Sequence, residues 1–511
     1  MAMLPEARRQ RTRSAALVPL VLAALLAAAQ PGWARPAIVL DGEFDDWPAG
    51  IQALADPWYL YLRLVLPEAV SLQTSALATE VLIDLDDDAA SGQTVAPAGE
   101  EEALGVDLAL LFAPVEQRDE AGLGSGAAAR VYRRDGTPRT LRHQQVGFAA
   151  LPTHVSDTFE LRVPRHVLED RRLGALLRAE GRARIVVRRL DSAGRAVWTS
   201  EVLAVTRPAA AEGPWRADDG PPARPADAVR ILSANVEWAS PLEDPAPFAR
   251  LLAASRPDIV LLQEWDRIER DARGRPPPRL SADSIARWFD THAPAERPWE
   301  VHRTGALGVA IVSRVPLQPI GGAPMTYRLA AGEETLLDRS VRYVAALADT
   351  PIGPLLVANI HLKCCGTAGS AEDLQRKAEA VTVNLELRRA LAKTGAAGVV
   401  VGGDFNLVGV TAPKDIIAAG LDHAGGDLVA VRALTLAGDA ATTWRDPRSR
   451  FPPSRLDYLL HPSSLTVPVN AFLLDTAGLG EAALARHGLS AGDAAYSDHL
   501  PLVVDLARRP R

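Results

Sequence analysis

Two hydrophobic patterns divide the chain. Between residues 36 and 206, short runs of alternating or clustered apolar residues are separated by polar turns that contain Gly. Runs of this kind predict β-strands, and a succession of them predicts an all-β sandwich domain. Between residues 228 and 511, strand-like runs alternate with amphipathic helical segments. This second pattern predicts a mixed α/β domain.

The clearest helical segment runs from Ser370 to Lys393. Ser370 is a typical first residue for a helix, and Gly395 is a typical stop. One face of this helix carries the apolar residues Leu374, Ala378, Val381 and Leu385. The strand-like run that ends at Asp404 follows directly, so we expect the helix to pack beside that strand.

Residues 207–227 carry neither pattern and are rich in Pro, Ala and charged residues. Such a composition is typical of an extended linker. A chain of 511 residues is also too long for one hydrophobic core. We therefore expect two domains, 36–206 and 228–511, of which the second folds without the first.

The first 34 residues have the parts of a secretory signal peptide. Arginines between positions 8 and 13 precede an apolar stretch over 15–29, and the small residues Gly32 and Ala34 follow. The apolar stretch is shorter than the roughly 20 residues that a membrane-spanning helix needs. We expect an exported protein, periplasmic or extracellular, with no transmembrane segment in the mature chain.

The overall composition is that of an ordinary globular protein, with 48% hydrophobic and 23% charged residues. The formal net charge of −7 provides no general positive field that would attract a polyanion. Contact with nucleic acid would therefore need a local arginine patch.

An acidic turn follows one of the strand-like runs in the first domain. Asp84, Asp86 and Asp88 alternate along it, and carboxylate oxygens are suitable ligands for Ca²⁺. The spacing is not that of an EF-hand loop. A structural calcium site and a solvated acidic turn are both compatible with this pattern.

In the second domain, polar side chains stand at the ends of apolar runs. These positions are Asn235, Glu264, His361, Asp404 with Asn406, Asp457, and Asp498 with His499. Buried strands that end in such residues deliver them to one edge of a sheet, where oxygen ligands can hold a hard cation.

In order and spacing these motifs resemble the endonuclease/exonuclease/phosphatase superfamily, over about residues 228–511. The resemblance implies a four-layer sandwich, in which two packed β-sheets are flanked by helices. It also implies hydrolysis of phosphoesters with Mg²⁺ or Mn²⁺ as cofactor. In the first domain, the segments around Asp41–Trp47 and Asp84–Gly92 resemble carbohydrate-binding-module family 9-like β-sandwiches, which implies glycan as a partner.

The resemblance assigns the metal site to Asn235, Glu264 and Asp498. It further implies that Asp404 positions or deprotonates the attacking water and that Asn406 donates a hydrogen bond to the developing charge. On an extended chain, residues two apart point the same way, so we expect both side chains to face one phosphate.

The two histidines receive different roles from the resemblance. His499 contacts the scissile phosphate or acts as general base, and Asp457 orients it through the other ring nitrogen. His361 binds the phosphate or protonates the leaving oxygen, with Lys363 as a further phosphate contact. Whether Asp404 or His499 is the general base stays open.

Beside His361 lie the only two cysteines, Cys364 and Cys365. Adjacent Cα atoms are about 3.8 Å apart, which is closer than most disulfides allow. We expect this pair to shape the loop rather than to act in catalysis.

Together these features predict an exported divalent-metal phosphoesterase. The first hypothesis is a phosphodiesterase or nuclease that acts on nucleic acid or on a lipid or sugar phosphate. One alternative is sphingomyelinase-like or phosphatase activity on lipid or sugar phosphates. An alternative of another class is a glycan-binding protein with a degenerate catalytic scaffold.

Overall fold

The computed structural model describes residues 34–97, 102–268, 277–321, 325–331 and 335–510. The predicted signal peptide lies outside the described residues, except for Ala34. Within these ranges, no helix is both long enough and apolar enough to cross a membrane.

The first domain is an all-β sandwich with two short helices, α1 (His143–Val146) and α2 (Arg171–Arg178). Its strands are β1 (Ala53–Ala55), β2 (Tyr59–Val70), β3 (Thr74–Ser75), β4 (Ala78–Asp84), β5 (Gln93–Val95), β6 (Leu104–Val106), β7 (Leu108–Phe112), β8 (Gly124–Ser125), β9 (Ala127–Tyr132), β10 (Pro138–Arg142), β11 (Ala149–Leu151), β12 (Ser156–Pro164), β13 (Gly181–Leu190), β14 (Ala196–Thr199) and β15 (Leu203–Arg207).

Two antiparallel sheets, β1-β2-β12-β11 and β10-β9-β7-β4-β13-β14, enclose one apolar core, and β15 also pairs with β13. Alternate residues of facing strands fill this core, among them Leu62, Ile83 and Phe159. The alternation of apolar and polar residues that predicted these strands therefore corresponds to side chains that point alternately into the core and away from it.

The second domain is built from strands and helices in alternation. Its strands are β16 (Ala228–Asn235), β17 (Ile259–Gln263), β18 (Glu300–His302), β19 (Ala310–Ser313), β20 (Leu317–Ile320), β21 (Thr326–Ala331), β22 (Thr335–Ser340), β23 (Arg342–Thr350), β24 (Gly353–His361), β25 (Gly398–Asp404), β26 (Val429–Ala430), β27 (Leu434–Thr435), β28 (Asp457–His461), β29 (Thr466–Leu473) and β30 (Leu502–Arg508). Its α-helices are α3 (Pro245–Ser255), α4 (Ala282–His292), α5 (Ala371–Thr394), α6 (Ala412–Ala418) and α7 (Glu481–His487).

These elements form four layers, as predicted. The sheet β18-β19-β17-β16-β30-β29-β27 packs face to face on the sheet β20-β23-β24-β25-β28-β26. Ile231 lies in the core between the sheets, whereas its neighbour Leu232 lies under the outer helices α3 and α4. Helices α5 and α6 cover the other sheet. Strands buried on both faces explain the nearly continuous apolar runs in the sequence.

Helix α5 has the predicted bounds, but its apolar stripe faces outward. The Ser370 side chain accepts a hydrogen bond from Asp373 N, and Gly395 ends the helix with φ 62°. Leu374, Val381 and Leu385 are about half exposed, at 52%, 46% and 49%. The predicted apolar face is therefore not the buried one. The buried face carries the apolar residues Ala380, Val383 and Leu387 together with polar residues that bind the loop after β24.

The buried polar side of α5 satisfies that loop directly. Arg376 Nη1 donates to the carbonyls of Lys363 and Cys365, at 2.9 and 2.7 Å. Glu379 Oε2 accepts from Lys363 N at 2.8 Å. Hydrogen bonds to charged groups are stronger than neutral ones, so these bonds add to the apolar contacts of Val383 and Leu387 in holding this face of the helix inward.

The two domains pack against each other. Asp439 of the second domain accepts hydrogen bonds from Tyr59 Oη at 3.0 Å and from Arg162 Nη1 at 2.9 Å. Leu40 pairs with Ala440 as an isolated bridge. Between β15 and β16 the segment contains no named helix or strand, but its Trp215 Nε1 donates to Ala437 O at 2.9 Å. Through this hydrogen bond the segment lies on the second domain.

Candidate active site

The ends of strands from both sheets bring the candidate residues together. In one sheet, β16 ends at Asn235, which pairs in parallel with Gln263, the residue before Glu264. In the other, Asp404 at the end of β25 pairs with His361 of β24 and with Asp457 of β28. The site therefore lies at one end of the two packed sheets.

Asp404 stands at the centre of this cluster. Asn235 Nδ2 donates to Asp404 Oδ2 at 3.2 Å, and this bond joins the two sheets. Asn406 N donates to Asp404 Oδ1 at 3.0 Å. Burial, together with the charges of Asp457 and Glu264, raises the pKa of Asp404 to about 8.

His499 is held by Asp457. Its Nδ1 lies 2.8 Å from Asp457 Oδ2, and its Nε2 lies 3.9 Å from Asp404 Oδ2. Burial opposes the charged imidazole, but the hydrogen bond to Asp457 and the charges of Asp457, Asp404 and Asp498 together outweigh it and raise the pKa of His499 to about 10. Donation from Nδ1 to the carboxylate leaves Nε2 directed toward Asp404.

His361 has the opposite electrostatic environment. Arg342 Nη1 donates to His361 Nδ1 at 3.0 Å, and burial together with the charge of Arg342 lowers the pKa of His361 well below its usual value. Because a guanidinium can only donate, Nδ1 is the acceptor and the ring proton lies on Nε2. That nitrogen is 3.4 Å from Asp404 Oδ2 and 3.8 Å from Glu264 Oε1.

Glu264 lies on a turn that needs close backbone packing. Its φ is 57°, and a Cβ added to Gly308 would lie 3.1 Å from its Cα. Trp238 N donates to Glu264 Oε2 at 3.2 Å. Burial raises the pKa of Glu264, as does the charge of Asp498. A positive φ at a non-Gly residue costs about 1–3 kcal/mol, so the surrounding packing must hold this turn.

Asp498 lies at the outer side of the cluster and is only partly buried. Trp444 Nε1 donates to Asp498 Oδ2 at 2.9 Å. The site therefore presents one partly exposed carboxylate next to buried ones.

The chain around Asn406 differs from the prediction. Asn406 has φ 51°, so the segment that carries Asp404 and Asn406 is not extended. The rule that residues two apart point the same way therefore does not apply to these two side chains. Its Nδ2 donates to Leu362 O at 3.2 Å. A Cβ at Gly403, whose φ is 140°, would lie 2.0 Å from Ile360 O. Only glycine permits this close approach of β24 and β25.

Lys363 does not contact the central carboxylates. Its Nζ lies 3.6 Å from Cys364 Sγ, and the two cysteine Sγ atoms are 2.9 Å apart. Cys365 has φ 70°. The cysteine pair therefore shapes a turn beside the site, and the ammonium of Lys363 points along that turn.

The acidic group of the first domain has a different membership from the predicted one. Oxygens of Asp84, Asp86 and Asp107 lie within 4.8 Å of one another, whereas Asp88 Oδ1 accepts from Ala90 N and stays outside this group. The sequence pattern did not indicate Asp107, because this residue follows β6 and lies more than 20 positions after Asp84 and Asp86. Arg184 pairs with Asp84 at 2.9 Å, so an arginine already supplies positive charge there.

Several residues of the active site could not be found from motifs. Arg342 is the first residue of β23, which pairs with β24 as an antiparallel hairpin. The register of this hairpin sets Arg342 opposite His361, and no local motif shows that register. Ser497 Oγ donates to Asn235 O and accepts from His499 N, at 2.8 and 3.0 Å. Thr443 Oγ1 accepts from Asp457 N at 3.0 Å. Trp444 belongs to the site because its Nε1 donates to Asp498, a contact that no sequence motif indicates.

The donor set suits a divalent cation with oxygen ligands. Among the described residues, no Lys or Arg forms an ion pair with Glu264 or Asp404, although Asp404 is buried and only 14% of the Glu264 side chain is exposed. Buried charges are stable only when they are paired or coordinate a metal. Glu264 and Asp498 supply two carboxylates and Asn235 an amide, which is the kind of sparse protein ligand set that Mg²⁺ uses.

Comparison with known protein families gives one match. Residues 232–499 match the model of the "Endonuclease/Exonuclease/phosphatase family". No curated protein matches the chain.

Several solved structures match about half of this chain. A Bacteroides vulgatus endonuclease/exonuclease/phosphatase is 14% identical, over 55% of this chain and 99% of that one, with a TM-score of 0.35. The human Nocturnin catalytic domain with bound sulfate is 17% identical, over 56% and 97%, with a TM-score of 0.35. TDP2 of D. rerio, complexed with single-strand DNA product, is 13% identical, over 55% and 98%, with a TM-score of 0.31.

Proposed function

This chain belongs to the endonuclease/exonuclease/phosphatase family, whose members are hydrolytic phosphoesterases, and we propose that it is a divalent-metal-dependent phosphodiesterase. A single observation carries the proposal. Asp457, His499 and Asp404 form a buried line, with distances of 2.8 and 3.9 Å, beside the carboxylate of Glu264, which has no Lys or Arg partner among the described residues. Such a line serves proton transfer next to a cation site.

Asn235, Glu264 and Asp498 would hold Mg²⁺ or Mn²⁺, which supplies Lewis-acid neutralisation of the phosphoryl oxygens when bound. The chain's own residues do the rest. Asp404 and His499 face a common volume, so one of them takes the proton of the attacking water while the other contacts the phosphate. Asp457 keeps the His499 ring at the angle that this requires.

His361 would act on the other side of Asp404. Its Nε2–H, fixed by donation from Arg342 to Nδ1, can donate to a phosphoryl oxygen or to the leaving oxygen. Asn406 and Lys363 are proposed to assist less directly, because the amide of Asn406 already binds Leu362 O and the ammonium of Lys363 lies beside Cys364.

The test is hydrolysis of an activated diester, bis-p-nitrophenyl phosphate, by the purified chain. Chelation with EDTA should abolish it, and Mg²⁺ or Mn²⁺ should restore it. Glu264→Ala should remove turnover. A binding protein with a degenerate site would show neither effect, and full activity in excess EDTA would contradict the proposal.

Parallel assays with DNA, RNA, sphingomyelin and simple monoesters separate the alternatives. Preference for a monoester would favour a phosphatase, and cleavage of sphingomyelin would favour the lipase-like alternative. The acidic net charge gives no support to a processive nuclease.

Three further proposals concern the rest of the chain. The signal-peptide pattern supports export, which N-terminal sequencing of the secreted chain would test. The first domain is proposed to bind glycan, which a glycan array would test. Asp84, Asp86 and Asp107 are proposed to bind calcium. Added Ca²⁺ should then raise the unfolding temperature of the wild-type chain but not that of an Asp86→Asn variant.

A further inference from the structure

A cavity of about 540 Å³ lies where the two domains meet. Gln144 and Phe148 of the first domain line it, and so do Arg445 and Phe451 of the second. The cavity is therefore a composite of both domains, although no candidate catalytic residue comes from the first.

This cavity opens on the candidate active site. Ser497 and Asp498 belong to its lining. Ser497 Oγ donates to Asn235 O at 2.8 Å and accepts from His499 N at 3.0 Å, so this part of the lining contacts the site directly. A phosphate held at the site would place one of its ester groups next to the cavity.

The first domain holds the wall of the cavity in place. Gln144 Nε2 donates to Asp446 O at 3.3 Å and also to Ser449 O. His143 Nε2 lies 3.1 Å from Ser449 O, and Ala127 N donates to Arg450 O at 2.7 Å. The first domain thus binds the loop over 445–453 through backbone carbonyls of that loop. These bonds fix the shape of the cavity and leave the charged side chains of its lining unchanged.

The cations in the lining are already neutralised. Arg445 makes two bonds to Asp475, at 2.8 and 2.7 Å, and Arg448 Nη2 lies 2.6 Å from Glu237 Oε1. The side chains between them are largely apolar, namely Phe451, Pro447, Pro453 and Ala495. A second phosphate would find no free cation here, whereas a neutral organic group would bury apolar surface.

We infer that this cavity binds the neutral, largely apolar ester group of a compact phosphodiester, and that the first domain thereby determines substrate specificity. The inference rests on the proposed phosphodiesterase function. In the reaction, the oxygen of water bonds to phosphorus while the opposite P–O bond breaks. The leaving alkoxide or phenolate takes the electron pair, the proton of water is released, and the group in the cavity stays on phosphorus.

The test compares two diesters with the same leaving group, phenyl p-nitrophenyl phosphate and methyl p-nitrophenyl phosphate. Only the retained group differs, so the ratio of their kcat/KM values reports on the cavity. Comparing this ratio between variants cancels the intrinsic reactivity of each ester. Full-length chain with Mg²⁺ is used throughout.

Two substitutions change the cavity from opposite sides. Ala495→Trp fills it from the second domain, and Gln144→Ala releases the loop over 445–453 from the first. Each should lower the phenyl-to-methyl ratio about tenfold or more, since a hydrophobic pocket discriminates by that factor for small changes in the bound group. The matched controls are Ala485→Trp, an exposed alanine on α7, and Gln52→Ala, an exposed glutamine of the first domain, both outside the lining.

The controls should keep the wild-type ratio, and thermal melts should show that every variant is folded. An unchanged ratio in both Ala495→Trp and Gln144→Ala, with both esters still hydrolysed, would overturn the inference and leave the proposed function intact. An equal fall of the ratio in the controls would overturn it as well. If wild-type chain hydrolysed neither ester with Mg²⁺ or Mn²⁺, the proposed function itself would fail.

Discussion

The pairing of Asp457 with His499 offers a quantitative test of the proposed chemistry. Asp457→Asn keeps the shape of the side chain but replaces a carboxylate that lies 2.8 Å from His499 Nδ1. A buried hydrogen bond to a charged group contributes about 1.5–3 kcal/mol, and 1.4 kcal/mol corresponds to about a factor of ten. Loss of ring orientation and of proton transfer together should lower kcat about 10²-fold or more.

The double mutant decides whether the two residues act as one unit. Asp457→Asn and His499→Ala should each cost about 10²-fold, and the combined variant should lose little beyond the worse single variant. The assay is steady-state hydrolysis of bis-p-nitrophenyl phosphate at saturating Mg²⁺. Fully additive losses would refute the coupling.

A control within the same strand separates catalysis from folding. At the far end of β28, His461 Nδ1 lies 2.8 Å from Thr466 Oγ1, and both residues are buried. Thr466→Val removes a comparable imidazole partner away from the site. Thr466→Val should lower the unfolding temperature but leave kcat unchanged. If kcat instead fell as far as in Asp457→Asn, the loss in that variant would reflect general damage to the sheet and not a catalytic role.

Three other outcomes are expected. Glu264→Gln should raise the Mg²⁺ concentration needed for half-maximal activity, because it removes ligand charge, and an unchanged metal titration would contradict its assignment. Gly403→Ala should destabilise the fold by at least about 2 kcal/mol in urea unfolding, because its Cβ would lie 2.0 Å from Ile360 O, whereas Gly213→Ala meets nothing within 4 Å and should have little effect. Deletion of residues 1–227 should leave a folded chain with a lower unfolding temperature, and an insoluble product from every truncation near this point would show that the domains are not independent.

The layers of the second domain could be predicted because burial follows the period of the strands. Ile231 and Leu232 are both fully buried, one between the sheets and one under helices, and such two-sided burial produces apolar runs. Polar residues at the ends of these runs then mark the edge where strands from both sheets meet. The sequence therefore indicated Glu264, His361 and Asp404 as neighbours without any coordinates.

Other features depend on contacts between segments that are distant in sequence. Arg342 acquires its role from the hairpin register that sets it opposite His361. Asp107 joins Asp84 through the packing of neighbouring strands, which no local spacing shows. The inward face of α5 combines apolar residues such as Val383 and Leu387 with Arg376. The carbonyl partners of Arg376 lie in a loop that the spacing within the helix does not show.

The packing of the first domain on the second follows from similar long-range contacts. Asp439 is buried against Arg162 and Tyr59, whose partners cannot be read from composition. A segment of Pro, Ala and charged residues predicts an extended linker and says nothing of its contacts, yet the ring of its Trp215 packs on that of Trp58, with centroids 4.9 Å apart. Composition reports only what a segment can form alone, whereas its partners decide whether it is ordered.

The central carboxylates explain why the site needs such extensive support. Within the described part of the chain, neither the buried Asp404 nor the mostly buried Glu264 has an arginine partner, which disfavours their charged forms until a cation is present. The fold compensates at a distance, since Gln263 Nε2 donates to Asn359 Oδ1 at 2.6 Å and ties the two sheets together just behind the site. Because that bond and the apolar core hold the strands in place, the charged groups are not required to stabilise the fold and remain free to bind and to transfer protons.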